Sequence, residues 1–201
     1  MAKNCTRNRS ILAFVVLMLG GSSVIAGQKA DVQRLFQSGA YDQVVEAAQG
    51  ADPASTFLAA QALMKLNRND GAVAEMTRLR SSDNPSWRLV GESGEALIAN
   101  DAGRAIDLAR RATEADGENP FAFYQLGLAA SKAGDWGTAD TAFSRTIQLK
   151  PDFAYAHYYA ALVHQRLRQL PKAAEHFDAF LRLAPDAPER SAVLAIMRTL
   201  K

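Results

Sequence analysis

Cysteine is almost missing from this sequence, and its scarcity excludes several classes of protein. Cys5 is the one cysteine among 201 residues, and it lies in an amino-terminal segment that we predict is removed. The remaining chain would then carry no thiol nucleophile, no disulfide and no cysteine ligand for a metal. Nor does a cysteine follow the apolar run near the amino end, where a bacterial lipoprotein needs one for its anchor.

The sequence also lacks the short motifs of common enzymes. It contains no G-x-S-x-G, no H-E-x-x-H and no phosphate-binding glycine loop, because Gly91 and Gly94 alone do not make one. We therefore expect a protein that is not an enzyme and that uses no cofactor.

The amino-terminal segment 1–26 has the order of a secretory signal peptide. Three basic residues precede an apolar run from Ile11 to Leu19, which is followed by small residues and by Val24-Ile25-Ala26. This order predicts cleavage after Ala26 and a periplasmic or secreted protein. Because the run is shorter than the roughly 20 residues of a membrane-spanning helix, an uncleaved amino-terminal anchor is the less favoured alternative. Such an anchor is the one way in which we expect the chain to contact a membrane.

The charge of the chain gives no sign of a nucleic-acid partner. Removing the leader takes away three of the 23 basic residues and none of the 21 acidic ones, so the net charge changes from +2 to −1. The basic character of the full sequence therefore belongs mainly to the leader. Nucleic-acid binding requires clustered Lys and Arg, and we expect none.

A 34-residue pattern occurs twice between Pro120 and Pro185. The first copy reads Phe123, Leu126, Gly127, Ala139, Phe143, Pro151, and the second reads His157, Ala160, Ala161, Ala173, Phe177, Pro185. A period of this length, with small residues, an aromatic and a proline at the same phase, predicts stacked helical hairpins. No stretch alternates apolar and polar residues for long, so we predict no sheet.

These residues resemble the tetratricopeptide repeat (TPR), whose pattern is W-x2-L-G-x2-Y, then A-x3-F, then P. The first copy has Phe123 in the Trp place and Ala130 in the Tyr place, while the second has His157 and His164 there and Ala161 in place of Gly. The resemblance implies an all-α fold, a right-handed α-solenoid of helical hairpins with a C-terminal capping helix. It also implies a protein-binding scaffold, without naming the partner.

The turns and joints of the repeat extend toward the amino end in weaker copies. A residue suited to the left-handed conformation recurs close to the 34-residue period, except for a shorter first step, and a small residue follows each of them five positions later. We predict one domain, 27–201, with hairpins over 28–49, 53–82, 86–116, 120–150 and 154–184 and a capping helix over 188–201. The predicted turn residues are Gly39, Asn67, Asn100, Gly134 and Arg168, and the small residues are Val44, Ala72, Ala105, Ala139 and Ala173.

The third hairpin contains two glycines close together, Gly91 and Gly94. Each should weaken a helix by about 1 kcal/mol relative to alanine. We favour the interpretation that they let a neighbouring helix pack closely, and a bend in the helix is the alternative.

The first helices of the last two hairpins carry a second apolar stripe, turned away from the hairpin interior. In a TPR solenoid this stripe lines the concave surface, and its tyrosines, other apolar side chains and basic edge suit a peptide or a partner helix. The alternative for each ring is packing between successive hairpins. The predicted peptide-binding residues are Phe121, Tyr124, Leu128, Lys132, Tyr155, Tyr158, Tyr159, Leu162 and Arg166.

Three histidines, His157, His164 and His176, are the remaining candidates for chemistry. His157 and His164 occupy aromatic packing places of the repeat, and the spacing of the three matches no metal motif. We therefore expect packing and no metal site.

The sequence thus predicts an exported, non-enzymatic adaptor that binds a peptide or helix of an envelope or secretion component in its concave groove. The alternative is a structural subunit of an envelope assembly, or a scaffold that self-associates through its convex face and terminal helix. The sequence does not predict the oligomeric state.

Overall fold

The computed structural model describes residues 32–200, and the predicted signal peptide, residues 1–26, lies outside this range. Within the range every regular element is a helix. We number them α1 (32–37), α2 (Tyr41–Ala47), α3 (Pro53–Lys65), α4 (Asn69–Arg80), α5 (Pro85–Ile98), α6 (Ala102–Ala115), α7 (Pro120–Ala133), α8 (Trp136–Leu149), α9 (Ala154–Arg166), α10 (Leu170–Leu183) and α11 (Arg190–Thr199).

Successive helices pack as antiparallel hairpins, and each hairpin stacks on the next. The predicted all-α solenoid is thereby confirmed. Its last helix, α11, buries Val193 and rests Ile196 and Met197 against the core, as a terminal cap must. None of the helices between residues 32 and 200 has the length and apolar character needed to cross a bilayer.

Each hairpin turns at a residue with positive φ. The five predicted turn residues all adopt the left-handed conformation, which confirms the prediction, and Gly50 in the joint after α2 adopts it too. Glycine reaches this region freely, whereas a side chain is strained there. The φ angles are 81° at Gly39, 57° at Asn67, 65° at Asn100, 78° at Gly134 and 58° at Arg168.

Three of the first helices begin with the same capping arrangement. Asp52, Asn84 and Asn119 accept hydrogen bonds from main-chain N–H groups of the first turns of α3, α5 and α7, and a proline occupies the first position of each helix. Such caps satisfy donors that a helix start leaves unpaired. Helix α9 has no such cap from its own flanking residue, Phe153.

Small residues let the two helices of each hairpin approach closely. The five predicted positions, from Val44 to Ala173, are fully buried. In the third hairpin Gly91 and Gly94 let helix α4 pack closely, which is the interpretation that we favoured. A β-carbon at Gly91 would lie 2.5 Å from the main-chain oxygen of Met76. A β-carbon at Gly94 would meet the Met76 side chain. Helix α5 continues through both glycines without a break.

The first helices of different hairpins also contact one another across the axis of the solenoid. Phe57 of α3 packs against Phe121 of α7, with ring centroids 5.4 Å apart, and Phe36 of α1 packs against Tyr155 of α9 at 4.9 Å. Helix α3 is buried at every position from Ser55 to Leu63, as expected of a helix surrounded on all sides. The array therefore closes on itself at its centre.

Candidate functional site

Three rings of the predicted concave stripe are inside the protein. The exposed fraction is 6% for Phe121, 1% for Tyr124 and 0% for Tyr155. The prediction that they line an open surface is wrong, because the earlier hairpins cover them. Phe57 covers Phe121 and Tyr124, and Phe36 covers Tyr155.

A polar network holds this closure in place around Glu189, which precedes α11. The Tyr155 hydroxyl donates to Glu189 Oε2 at 2.7 Å, and Lys65 Nζ donates to Glu189 Oε1 at 2.7 Å. The Tyr41 and Tyr155 hydroxyls lie 3.0 Å apart. Burial acts to raise the pKa of Glu189, but the hydrogen bonds from Lys65 and Tyr155 outweigh it and leave that pKa below its usual value. Glu189 is thus a carboxylate shared by α3 and α9.

Helix α1 contacts the amino end of α9. Gln37 Oε1 accepts a hydrogen bond from the main-chain N–H of Ala154 at 2.9 Å, which supplies the cap that α9 lacks locally. Gln33 Nε2 donates to the Asp152 side chain at 3.0 Å. A cavity of about 370 Å³ remains at these amino ends, lined by Gln33, Phe121 and Asp152 among others, and a larger one lies at the carboxyl ends.

A groove is open at those carboxyl ends, with a volume of about 660 Å³. Five of the predicted residues line it: Leu128, Lys132, Tyr159, Leu162 and Arg166. Sequence reasoning missed its other lining residues, which are Ser131, Trp136, Val163 and Gln165. We call this cavity the carboxyl-end groove.

A second cavity of about 350 Å³ adjoins the carboxyl-end groove, because Leu128, Lys132 and Tyr159 line both. It extends the surface to the carboxyl ends of α3 and α5. The residues that it adds are Gln61, Met64, Lys65 and Leu97. The second and third hairpins thus contribute residues to this surface.

The described residues that line the two cavities include three cations, Lys65, Lys132 and Arg166, and no Asp or Glu. Lys65 is paired with Glu189. The Arg166 guanidinium lies 5.8 Å from the centre of the Trp136 ring, within the range of a cation–π contact. The surface is apolar at its floor and positive at its edge.

Two polar atoms at this surface have no hydrogen-bond partner within the described part of the protein. They are Gln61 Nε2, on a residue with 8% exposure, and Ser131 Oγ. A buried donor without a partner costs about 1–3 kcal/mol. An acceptor oxygen of a ligand could supply that partner.

Tyr158, the ninth predicted residue, is half-buried but lies outside both cavities. Its ring packs 5.1 Å from Phe180, and Lys65 Nζ lies 6.0 Å from the ring centre. Tyr159 borders both cavities, and burial raises the pKa of its hydroxyl to about 12. Tyr159 therefore stays neutral and presents a ring and a hydroxyl.

One signal in the sequence could have separated buried rings from open ones. Trp87, Phe121 and Tyr155 follow one another at the 34-residue period of the repeat. An aromatic kept at one phase in three hairpins indicates packing between hairpins, and the Trp87 and Phe121 rings do pack, at 5.8 Å. The period also indicated Lys65, which stands two residues before the turn residue Asn67, as Lys132 and Arg166 stand before Gly134 and Arg168.

The three histidines meet where α8, α9 and α10 join. His157 Nδ1 lies 3.2 Å from His176 Nδ1, and the rings of His164 and His176 stack with centroids 5.2 Å apart. Within residues 32–200 no group of three or more His, Cys, Asp or Glu side chains has the geometry of a metal site.

Comparison with known proteins agrees with this architecture. The first TPR of Spaghetti (RPAP3), solved with the HSP90 peptide SRMEEVD, superposes with a TM-score of 0.55 at 16% identity, over 61% of this chain and 94% of that one. YrrB, described as a TPR protein with an unusual peptide-binding site, gives 0.53 at 18% identity, over 88% of each chain. The TPR2AB domain of yeast Sti1, in complex with pHSP90, gives 0.54 at 11%, over 90% of this chain and 99% of that one.

At these identities the similarity is one of fold. No curated protein matches the sequence. The family model of the tetratricopeptide repeat matches residues 57–120 and 124–188, which is more than half of the sequence. The repeated pattern, the hairpins and this match lead to one conclusion: the chain belongs to the tetratricopeptide repeat family.

Proposed function

We propose that this protein is an exported, non-catalytic adaptor that binds a peptide or helix of an envelope or secretion component in the carboxyl-end groove. The observation that carries the proposal is the groove itself, an open cavity of about 660 Å³ with a leucine and aromatic lining. Cavities of this size, mostly apolar with a few polar groups, are typical binding sites.

The chemistry of the lining indicates the kind of segment that fits. Leu128, Leu162 and Trp136 offer apolar area, while Lys132 and Arg166 at the edge favour carboxylates. Gln61 Nε2 offers a hydrogen bond to a carbonyl or carboxylate oxygen. We infer a ligand with apolar side chains and neighbouring acidic residues. Solved TPR structures with bound HSP90 peptide support peptide binding as the class of function.

The test uses two leucines of similar burial. Leu162 borders the groove, while Leu181 lies on α10 away from it, and both are half-buried and packed against the core. The processed protein serves as bait in an envelope extract of its own cell. We expect Leu162→Gln to reduce recovery of the captured partner about tenfold, since one lost leucine contact is worth about 1.5 kcal/mol or more. Leu181→Gln should capture as much as the wild type, and equal capture by both variants would contradict the proposal.

Export is the part of the proposal that rests on the leader pattern alone. Cell fractionation of the full-length protein tests it, with mass measurement of the recovered chain. We expect a periplasmic or secreted protein that begins at Gly27, and recovery of the intact chain from the cytoplasm would contradict export.

A second candidate function is self-association through the end of the array. The exposed large apolar residues of the described range are Val73, Leu170, Leu183 and Leu194, and three of these four belong to α10 and α11. Such residues can mark a contact between copies. Light scattering at increasing concentration tests this function, and a constant monomer mass excludes it.

A further inference from the structure

All three histidines of the sequence lie in one cluster at the junction of α8, α9 and α10. His157 Nε2 lies 3.3 Å from the main-chain oxygen of Pro151, and an oxygen can only accept. His157 Nε2 therefore carries the proton in the neutral ring, and His157 Nδ1 is an acceptor. Since His157 Nδ1 and His176 Nδ1 are 3.2 Å apart, His176 Nδ1 must donate.

This pair has room for one proton between its two facing nitrogens. A second proton would place two N–H groups against each other at 3.2 Å. The third ring, His164, stacks on His176 with planes 7° apart and is 3% exposed. Its Nδ1 has no partner in the described structure. Protonation of both facing rings would therefore set two N–H groups and two positive charges against each other.

Charged groups of α8 and α10 lie around the cluster. Asp140 of α8 lies 3.4 Å from His164 Nε2 and is the nearby carboxylate. Lys172 and Arg182, both of α10, disfavour the charged rings of His176 and His157 respectively and so lower their pKa values. Arg182 also pairs with Asp178 at 2.9 Å, so its charge is partly compensated.

The pKa values follow this arrangement. Burial first, and then the neighbouring His157 and His164, lower the pKa of His176 to about 4. Burial is also the main cause that lowers the pKa of His157. The packed junction therefore favours neutral rings, and proton uptake favours its separation.

The junction lies behind one wall of the carboxyl-end groove, the wall that α9 forms. Helix α9 contributes Tyr159, Leu162 and Arg166 to the groove, and α8 contributes Trp136. His164 sits between these α9 residues and faces Asp140 of α8. A separation of α10 from α9 would remove the support behind the α9 wall of the groove.

We propose that the histidine cluster is an acid-operated switch, in which protonation of both facing rings, His157 and His176, undocks α10 from α9, loosens the α9 wall of the groove and releases the bound segment. The release step rests on the proposed function, whereas the undocking step does not. An exported protein meets the pH of its surroundings, so the switch would couple binding to external acidity.

Hydrogen exchange measured by mass spectrometry on the processed protein tests undocking without a ligand. Exchange rates at pH 7.5 and pH 5, corrected for the intrinsic dependence on pH, are compared between α9–α10 and α3–α4. We expect the opening of α9–α10 to increase about tenfold at pH 5 relative to α3–α4, since each unit of a depressed pKa corresponds to a tenfold change in the equilibrium. An unchanged ratio overturns the switch.

Two variants test whether the histidine cluster causes the opening of α9–α10 at low pH. His157→Phe with His176→Phe restores ring packing without titration, and Phe123 already fills the equivalent place of His157 in the preceding hairpin. If this variant folds poorly, His176→Gln removes the titrating ring alone. We expect either variant to lose the pH-dependent opening, and full retention in a folded variant overturns the proposal.

A wash at pH 5 tests release. It should elute the captured partner from the wild-type protein and not from the phenylalanine variant. Undocking in the exchange experiment without any captured partner would count against the proposed function and leave the undocking step supported. Capture that persists at pH 5 in spite of undocking overturns the release step.

Discussion

Tyr155 Oη donates a hydrogen bond of 2.7 Å to Glu189 Oε2, while Lys65 binds the other oxygen of the same carboxylate. These contacts connect the second, fifth and capping parts of the array, which are far apart along the chain. A neighbour-to-neighbour solenoid has no such contacts. The closure of this array therefore depends on a few long-range interactions that can be removed one at a time.

Removal of Lys65 should destabilise the protein more than removal of an exposed cation. The side chains of Lys65 and Glu189 are 28% and 17% exposed, so Lys65→Met leaves a half-buried carboxylate without its cation. We expect the free energy of unfolding at pH 7 to fall by about 1–3 kcal/mol, measured by urea denaturation. Arg182→Met is the control, because its pair with Asp178 is mostly exposed and is worth about 0–1 kcal/mol. Equal effects of the two changes would contradict a structural role for the network.

Glycine at position 91 is required by close packing and not by helix formation. A β-carbon there would lie 2.5 Å from the Met76 oxygen and 2.6 Å from the Arg80 nitrogen, and main-chain atoms cannot move aside cheaply. We expect Gly91→Ala to lower the free energy of unfolding by about 1–3 kcal/mol. Gly103→Ala in α6 is the matched control, since its nearest atom is 4.0 Å away, and alanine should there add up to about 1 kcal/mol. Thermal unfolding of both variants measures these changes in stability. Stabilisation by Gly91→Ala would contradict the packing argument.

The last hairpin turn is strained by its side chain. Arg168 has φ of 58°, where the equivalent turn of the preceding hairpin has Gly134 at 78°. We expect Arg168→Gly to raise the free energy of unfolding by about 1 kcal/mol, because a left-handed residue with a β-carbon costs about that much. The reverse change, Gly134→Ala, should cost a similar amount, although no atom lies within 4 Å of the added carbon. Urea denaturation of the two variants should give shifts of opposite sign, and shifts of the same sign would exclude backbone strain as the cause.

The sequence was sufficient to predict the turn residues and the small residues of the hairpins, because both depend on residues close together in the chain. Asn67, Asn100 and Arg168 were recognised as turn residues because the repeat period places each at the same phase, and the small residues followed from the same period. The closure was not predictable in this way, since Tyr41 and Tyr155 are far apart in the chain and no local pattern encodes the contact of their hydroxyls. The sequence therefore predicted one peptide-binding stripe, which the structure divides in two. Its carboxyl-end residues line the groove, and Phe121, Tyr124 and Tyr155 are core.

The stability of the protein should fall between pH 6.5 and pH 4. His157 and His176 have pKa values below the usual 6.5, to about 4 for His176, because burial disfavours the charged ring. Above pH 6.5 these rings are neutral in both the folded and unfolded states, so stability does not depend on them. Below pH 6.5 the unfolded chain takes up protons that the folded chain does not, and stability decreases until the pH reaches the folded pKa.

The difference between a pKa of 6.5 and one of about 4 sets an upper limit of about 3 kcal/mol for His176, and partial exposure reduces it to about 1–2 kcal/mol. Carboxylates with lowered pKa, such as Glu189, begin to lose their contribution near their unfolded value of 4.5 and so do not explain the upper part of this window. Urea denaturation at half-unit steps of pH should therefore give a slope between pH 6.5 and pH 4 in the wild-type protein and a much flatter line in His176→Phe. An identical slope in both proteins would show that other groups take up the protons, and the histidine cluster would then be no more than a set of packed rings.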